Sequence, residues 1–259
     1  MYTYYLSEGH IQYGMDIETA YMTGNTTELQ THVMTYARLP IKQLENMLDD
    51  TLEGGIVSSA LFQKTKSPFY LTQVTYGGLA ACYDVPNPVQ FEKQQMHYAL
   101  FSGRQSCKFT QQSGYGLRAI SWSLEDSEWH DDAGVCARFQ DQSGQRNRMY
   151  GRSLKHSAWS NDTGGGSFAY DNSMHHATLR HHAHGMSMFH DNSAWYTQCA
   201  GNSLFMAKCK DSSFKQSTCE ASALDFARAD GHSFQEAHLH GNVPRNLDMA
   251  QTVKDHCNY

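Results

Sequence analysis

Every fifth residue from Leu154 to Leu239 is hydrophobic with two exceptions, and this period constrains the fold more than any other feature of the chain. The exceptions are Gly164 and His184, although only 40% of the whole chain is hydrophobic. The residue two positions earlier is usually small or short and polar. A short internal repeat determines the architecture of a chain, so this period takes precedence over ordinary helix and strand patterns.

A period of five fits neither a helix nor a strand. Helical faces recur every 3.6 residues and strand faces every two, so either element would scatter these side chains over its whole surface. A solenoid that turns a corner every five residues points the central residue, and the residue two before it, toward one axis. Such repeats bury their side chains only when neighbouring coils stack.

The repeat resembles that of the pentapeptide-repeat family, which has Ala or Ser two residues before a central Leu or Phe. The resemblance is clear over 152–243, weaker over 105–151 and absent over 1–104. It implies a right-handed quadrilateral parallel β-helix with four repeats, or twenty residues, per coil. The glycines that interrupt the phase of the weaker part are Gly114, Gly134 and Gly144. The runs that carry the resemblance are Ala207-Lys208-Cys209, Ser212-Ser213-Phe214, Ser217-Thr218-Cys219, Ser222-Ala223-Leu224 and Ala237-His238-Leu239.

Residues twenty apart are expected to stack at the strand spacing of roughly 4.7–4.9 Å. Trp129 and Trp159 are large for central positions, which indicates wide or irregular early coils, or a slip in phase. Cys199 and Cys219 fall one coil apart, so we expect two buried free thiols, with a disulfide as the alternative. The predicted core columns include Leu154, Met174, Phe189, Cys199, Leu204, Phe214, Cys219, Leu224, Phe234 and Leu239.

His184 and His182 occupy the two inward positions of one repeat. A hydrated repeat with hydrogen-bonded imidazoles is the simpler interpretation. A metal site that also uses His176 and His181 is the alternative, although the last two lie at corner positions on different faces. The prediction is therefore no metal and no cofactor.

Residues 1–104 lack the period and are predicted to form a small α/β docking or capping domain. Thr27–Leu52 has helical spacing with a break near Pro40, and Gly54-Gly55 is expected to end it. The aromatic and β-branched segment Phe69–Tyr83 is typical of strands. The repeat domain is assigned to 105–243. Residues 244–259 are predicted to form a short capping helix that begins at Pro244.

Catalytic motifs are not recognisable in this sequence, and the prediction is that the chain is not an enzyme. Gly164-Gly165-Gly166 is interpreted as a bulge or a tight corner. Acid–base chemistry requires carboxylates that converge. A solvated acidic corner is predicted instead for the carboxylates at Glu125, Asp126, Glu128, Asp131 and Asp132.

The net charge of the chain argues against two of the remaining classes of function. The net charge of −6 and the lack of a basic stripe argue against direct nucleic-acid binding, and net −2 over 105–243 is too small for close DNA mimicry. No apolar run is long enough for a membrane span. The chain opens without the features of a signal peptide, and its seven cysteines are scattered, so we expect synthesis in a reducing cytoplasm and incorporation into a particle.

The sequence therefore predicts a non-enzymatic structural or interaction scaffold in a large homo- or hetero-oligomeric assembly, such as a virion. The alternatives are a binder of a type II topoisomerase, as some pentapeptide-repeat proteins are, and a secreted effector with an activity in 1–104. Trp195, Tyr196, Phe205 and Met206 are expected on adjoining corners. The full predicted interaction patch is Tyr170, Trp195, Tyr196, Phe205, Met206 and Phe226.

Overall fold

The structure is a computed structural model that describes residues 19–20, 23, 25–48, 54–73, 89–93, 95–97, 99–102, 106–220, 223–224, 226–240 and 248–249. Its main feature is a β-solenoid made of two parallel sheets. The chain alternates between the sheets, so odd-numbered strands form one sheet and even-numbered strands the other. The repeat thus folds as the sequence predicts, into a parallel β-helix.

The odd sheet has nine strands and the even sheet has eight. The odd strands are β1 Val89–Phe91, β3 Cys107–Phe109, β5 Glu128–Trp129, β7 Arg148–Met149, β9 Phe168–Ala169, β11 Met188–Phe189, β13 Lys208–Cys209, β15 Arg228–Ala229 and β17 Asp248–Met249. The even strands are β2 Leu100–Phe101, β4 Arg118–Ala119, β6 Arg138–Phe139, β8 Ala158–Trp159, β10 Thr178–Leu179, β12 Gln198–Cys199, β14 Thr218–Glu220 and β16 His238–His240. Eight spacings between nine strands give the solenoid a length of about 38 Å.

The coil has a constant length of twenty residues after its first turn. Phe109 pairs with Trp129, and Cys199 pairs with Cys219. The first coil is two residues shorter, since Phe91 pairs with Phe109. Because β1 and β2 already belong to the two sheets, the solenoid begins before the predicted boundary at residue 105.

Two kinds of corner connect the sheets on opposite sides of the coil. Corner A follows the odd strands and comprises residues 111–116, 131–136, 151–156, 171–176, 191–196, 211–216 and 231–236. Corner B follows the even strands and comprises 121–126, 141–146, 161–166, 181–186, 201–206, and residues 223, 224 and 226. Many corner residues have positive φ, including Asp171, Asp191 and Asp211 at the first corner position. Asp, Asn and Gly tolerate this conformation best, which explains why they are frequent there.

The inward positions differ between strands and corners. Before a strand residue such as Trp129, the buried partner lies two positions earlier, at Ser127, as the sequence predicts. Before a corner residue such as Leu124, the buried partner is the preceding residue, Ser123, so the predicted two-residue offset is wrong at the corners. The ten central residues predicted for the core are buried, with exposed fractions of 0–6%.

A side-chain ladder explains the preference for Ser and Asn before the odd strands. The backbone N–H of Cys107 donates to Ser127 Oγ at 3.0 Å, and the N–H of Ser127 donates to Asn147 Oδ1 at 2.9 Å. The N–H of Asn147 donates in turn to Ser167 Oγ at 3.0 Å. Each coil therefore satisfies buried backbone donors of the coil before it.

The corner glycines belong to the repeat rather than interrupting it, and they make room for large rings. Trp159 stacks on Phe139 with ring centroids 3.7 Å apart. A Cβ atom at Gly144 would lie 2.7 Å from Cζ3 of Trp159 and 2.8 Å from Cδ1 of Phe139. A Cβ atom at Gly134 would lie 2.8 Å from the ring of Trp129. The large early residues are therefore accommodated without a slip in phase.

Helices cover the N-terminal end of the solenoid. They are α1 Thr26–Tyr36, α2 Ile41–Asn46, α3 Gly54–Thr65 and a 3-10 helix Pro68–Gln73. Phe62 of α3 and Leu71 of the 3-10 helix join the core of the solenoid. Leu100 of β2 packs among the helices.

Several predictions for the ends need correction. The break at Pro40 is confirmed, but Gly54-Gly55 begin α3 instead of ending a helix. Phe69 lies in the 3-10 helix rather than in a strand, while 74–83 lie outside the described residues. Asp248–Met249 form β17, so the predicted C-terminal helix is wrong at these positions, and 244–247 and 250–259 are not described.

Candidate protein-interaction surfaces

The structure separates the residues of the predicted interaction patch. Trp195 and Tyr196 lie at corner A, between β11 and β12, whereas Phe205 and Met206 lie at corner B, between β12 and β13. The expectation that these residues occupy adjoining corners is therefore wrong, because the two corners lie on opposite sides of the coil. The two parts are therefore separate surfaces.

Corner B carries an exposed apolar ridge. Its members are Met186, Phe205, Met206 and Phe226, which are 67%, 38%, 50% and 53% exposed. Phe205 and Phe226 contact edge to face, with ring centroids 5.6 Å apart. The ridge arises because Met186, Met206 and Phe226 occupy the same corner position of consecutive coils, twenty residues apart, and Phe205 precedes Met206. Clustered apolar groups of this kind mark contact surfaces in soluble proteins.

At corner A, the predicted patch residues are engaged by neighbouring side chains. Trp195 stacks on His175 at 5.5 Å, and its indole N–H donates to the carbonyl oxygen of Ser212 at 2.6 Å. The Lys215 ammonium lies 5.4 Å from the centre of the same ring. Tyr196 stacks on His176 and keeps 46% of its surface exposed. Trp195 is thus partly structural, while Tyr196 is available for contact.

His175 is held neutral by its surroundings. Burial is the main cause of the lowered pKa of this imidazole, and the charges of Lys155 and His176 lower it further. Its Nε2 lies 2.9 Å from the carbonyl oxygen of Asn192, an interaction that opposes these effects. The stacked arrangement with Trp195 therefore does not depend on protonation of His175.

The outer face of the odd sheet carries a ladder of stacked rings. It contains Tyr170, the remaining member of the predicted patch near corner A. The ladder runs through His130, Tyr150, Tyr170 and His190, with centroid distances of 4.8, 5.3 and 5.3 Å. Burial raises the pKa of the Tyr150 hydroxyl, so it stays protonated at neutral pH. Because the rings stack on one another, their edges face outward.

The predicted acidic cluster is divided among three surfaces. At corner B, Arg146 contacts Glu125 at 2.8 Å and Asp126 at 2.6 Å. These carboxylates raise the pKa of the Arg146 guanidinium above its ordinary value. On the odd-sheet face, Glu128 lies 3.6 Å from Lys108 and 3.7 Å from Arg148. At corner A, Asp132 contacts Arg152 and Lys155 at 2.6 and 3.8 Å. The carboxylates therefore do not converge, as paired acid–base chemistry requires.

Charge is distributed by position in the coil. Among the described residues of 106–240, the outward positions on and directly after the strands carry eight Lys or Arg and three Asp or Glu. The corners carry four Lys or Arg and ten Asp or Glu. The strand faces are thus net positive and the corners net negative. The total charge of the chain does not reveal this partition, because it does not distinguish strands from corners.

The histidines near position 182 do not converge on a metal. His184 is fully buried, but His182 and His181 are exposed, and Ala183 takes the inward position that His182 was expected to fill. Within the described parts of the chain, no group of three His, Cys, Asp or Glu side chains could hold a metal ion. Likewise, no helix in those parts is long and apolar enough to cross a membrane.

The buried cysteines form a thiol cluster in the core. Cys199, Cys209 and Cys219 are free and at most 4% exposed. Burial is the main cause of the strongly raised pKa of the Cys199 and Cys209 thiols, and their neighbours raise it further. The expected pair of free thiols at Cys199 and Cys219 is confirmed.

These thiols are expected to resist alkylation in the native protein, because only the thiolate is a strong nucleophile. Brief treatment with iodoacetamide, followed by peptide mass spectrometry, checks this. Cys136 is partly exposed and is the internal control, since it should react first. Native labelling of Cys199 or Cys209 as fast as that of Cys136 would show that the core opens readily.

No family model, no curated protein and no solved structure matches this chain.

Proposed function

We propose that this chain is a pentapeptide-repeat protein that serves as a non-enzymatic structural scaffold in a larger assembly. The proposal rests mainly on the apolar ridge of corner B. Its four side chains, from Met186 to Phe226, remain 38–67% exposed along consecutive coils. A regular solenoid holds such a ridge at fixed spacing, since every coil is tied to its neighbours by strand pairing.

The proposed scaffold is rigid along its length. The two sheets are continuous from β1 to β17 and from β2 to β16, and the inward side chains form one connected hydrophobic core. Interiors packed in this way are nearly incompressible. The solenoid is suited to hold partners at a fixed separation of up to its length of about 38 Å.

The charge distribution favours this function over DNA mimicry. A mimic of duplex DNA needs dense negative charge along its surface, about one charge per 1.7 Å of axis. Here the strand faces, with cations such as Arg148 and Lys208, are net positive and separate the acidic corners from each other. A topoisomerase binder therefore has less support than a scaffold with protein partners.

The double variant Phe205→Asp/Phe226→Asp is expected to abolish contacts made by the ridge, because it places two carboxylates in a surface that must lose water on association. Light scattering in about 500 mM salt, where surface charges are screened, is the measurement. Wild type should have a mass above the 29.3 kDa of one chain, and the variant should not. Trp122→Asp, at an exposed corner B aromatic several coils away, is the matched control. A monomeric wild type in this salt would contradict the ridge as a contact surface.

A further inference from the structure

Ion pairing differs between the two halves of the solenoid. Every ion pair among the described residues lies between Lys108 and Lys155. Beyond Lys155, Lys208 and Lys210 lie on the odd-sheet face and Asp171, Asp191 and Asp211 lie at corner A, whereas Lys215 lies at corner A over Trp195 and Asp230 follows β15. Lys208, Lys210 and these three aspartates form no ion pair with a described residue, so they are available for contacts outside the chain.

The cation face is the outer surface of β9, β11 and β13 with the residue after each strand. Lys208 and Lys210 are exposed at its C-terminal end, and neither is in an ion pair with a described residue. Its centre is apolar and aromatic: Phe168 lies 6.4 Å from Tyr170, which stacks on His190. The six residues of the cation face are Phe168, Tyr170, Met188, His190, Lys208 and Lys210. A partly exposed apolar centre beside charged residues is the usual anatomy of a protein contact.

Corner A carries the complementary charge. Asp171, Asp191 and Asp211 occupy the same corner position in three consecutive coils, and all three are exposed. Like charges on neighbouring strands repel each other. The positive φ of this position does not require a carboxylate, because Gly151 and Gly231 occupy it in other coils of the same corner. The three aspartates therefore maintain repulsion within the chain that an external cation relieves.

The two surfaces have similar spacings. Asp191 and Asp211 are separated by one coil, at the strand spacing of about 4.8 Å, and Lys208 and Lys210 lie two residues apart in one coil, about 6.6 Å along the chain direction of β13. When two solenoids lie side by side, carboxylates from consecutive coils of one copy reach the lysines of the other, while the ring edges of Tyr170 and His190 lie beside this contact. A second copy of this chain therefore offers an acidic surface with the same twenty-residue repeat.

We propose that the cation face binds a second copy of this chain through Asp191 and Asp211 of that copy. This inference rests on the proposed scaffold function and names one of its partners. The net charge of −6 does not oppose it, because the contact joins surfaces of opposite sign and strong charge complementarity steers such encounters.

Charge reversal and mixing test the contact directly. The face variant is Lys208→Glu/Lys210→Glu, and the corner variant is Asp191→Lys/Asp211→Lys. In about 50 mM salt, sedimentation velocity should show association of wild type that weakens roughly tenfold by about 500 mM. Each variant, made in the Phe205→Asp/Phe226→Asp background so that the ridge does not contribute, should be a monomer on its own. An equimolar mixture should associate again, because each variant supplies the surface that the other lacks.

The mixture also excludes loss of folding as the explanation, since a misfolded chain cannot restore the contact. Asp162→Lys is the matched control: it makes the same change at an exposed, positive-φ position of corner B and should associate like wild type. A mixture that stays monomeric overturns the inference. A twenty-nucleotide oligothymidine that binds wild type but not the face variant, while wild type stays monomeric, overturns it in favour of nucleic acid.

The outcomes separate this inference from the proposed function. Association that is equally strong in about 50 and 500 mM salt, and is lost on Phe205→Asp/Phe226→Asp, overturns the inference and supports the ridge. Association that occurs only in low salt and requires Lys208 and Lys210 supports the inference and removes the support for the ridge.

Discussion

Trp159→Ala is expected to lower the free energy of unfolding by about 3–5 kcal/mol, the largest effect of a single substitution in this account. Trp159 is 1% exposed, stacks on Phe139 and contacts His184 with ring centroids 4.4 Å apart. Its indole N–H donates to Ser157 Oγ at 2.8 Å. Removal of the ring leaves a cavity between two coils that strand pairing prevents from closing. Denaturant unfolding followed by circular dichroism measures the change.

The fit between Trp159 and Gly144 makes this prediction more specific. Gly144→Ala alone should cost about 1–3 kcal/mol, because the new methyl group would collide with both Trp159 and Phe139. With Trp159→Leu already present, the same change should cost less, so the double-mutant cycle should show coupling. Gly151→Ala controls for positive φ, since its nearest non-neighbouring atoms are 3.6 Å away. Additive effects of Gly144→Ala and Trp159→Leu would contradict the proposed fit.

The second large effect is acid destabilisation through His184. Its ring is fully buried and neither nitrogen has a hydrogen-bond partner among the described residues. Burial lowers the pKa of this imidazole from 6.5 to about 3. The unfolded chain therefore binds a proton at pH values where the folded chain does not, so stability is complete above pH 6.5 and falls as the pH drops toward 3. This shift corresponds to a loss of about 4–5 kcal/mol.

His184→Leu should remove this part of the pH dependence. It should also stabilise the protein at pH 7 by about 1–3 kcal/mol, because two unsatisfied buried nitrogens disappear. Leu124 and Leu204 occupy the equivalent position of corner B in other coils, so the coil accepts leucine there. Urea unfolding between pH 4 and pH 7 is the measurement, with the exposed His232→Leu as the control. Parallel pH profiles for wild type and His184→Leu would show that another group controls acid stability.

The sequence predicts the interior of the solenoid well, because inward positions are under the strictest constraint. The period of five places Cys199 opposite Cys219, and the structure confirms that register. It does not reveal which small residue faces inward at a corner. Ser123 is buried, yet exposed Asn172 fits the same pattern by its size and polarity. In the sequence, Gly144 interrupts the apolar period, and only the structure shows that it makes room for the ring of Trp159.

The surface was harder to predict, since function there depends on which residues share a face. Trp195 and Phe205 are ten residues apart, and half a coil places them on opposite sides. The lysines at 208 and 210 lie close to Asp211 in sequence, so a local charge count does not show that the opposite charges lie on different surfaces. Only the division into strand faces and corners shows that they form separate charged surfaces.

Sedimentation velocity of the wild-type chain over a hundredfold range of concentration tests the central claim, that this solenoid is an assembly module, most directly. We predict a sedimentation coefficient that rises with concentration, toward species heavier than 29.3 kDa. A single 29.3 kDa species at every concentration, in both low and high salt, would contradict the claim.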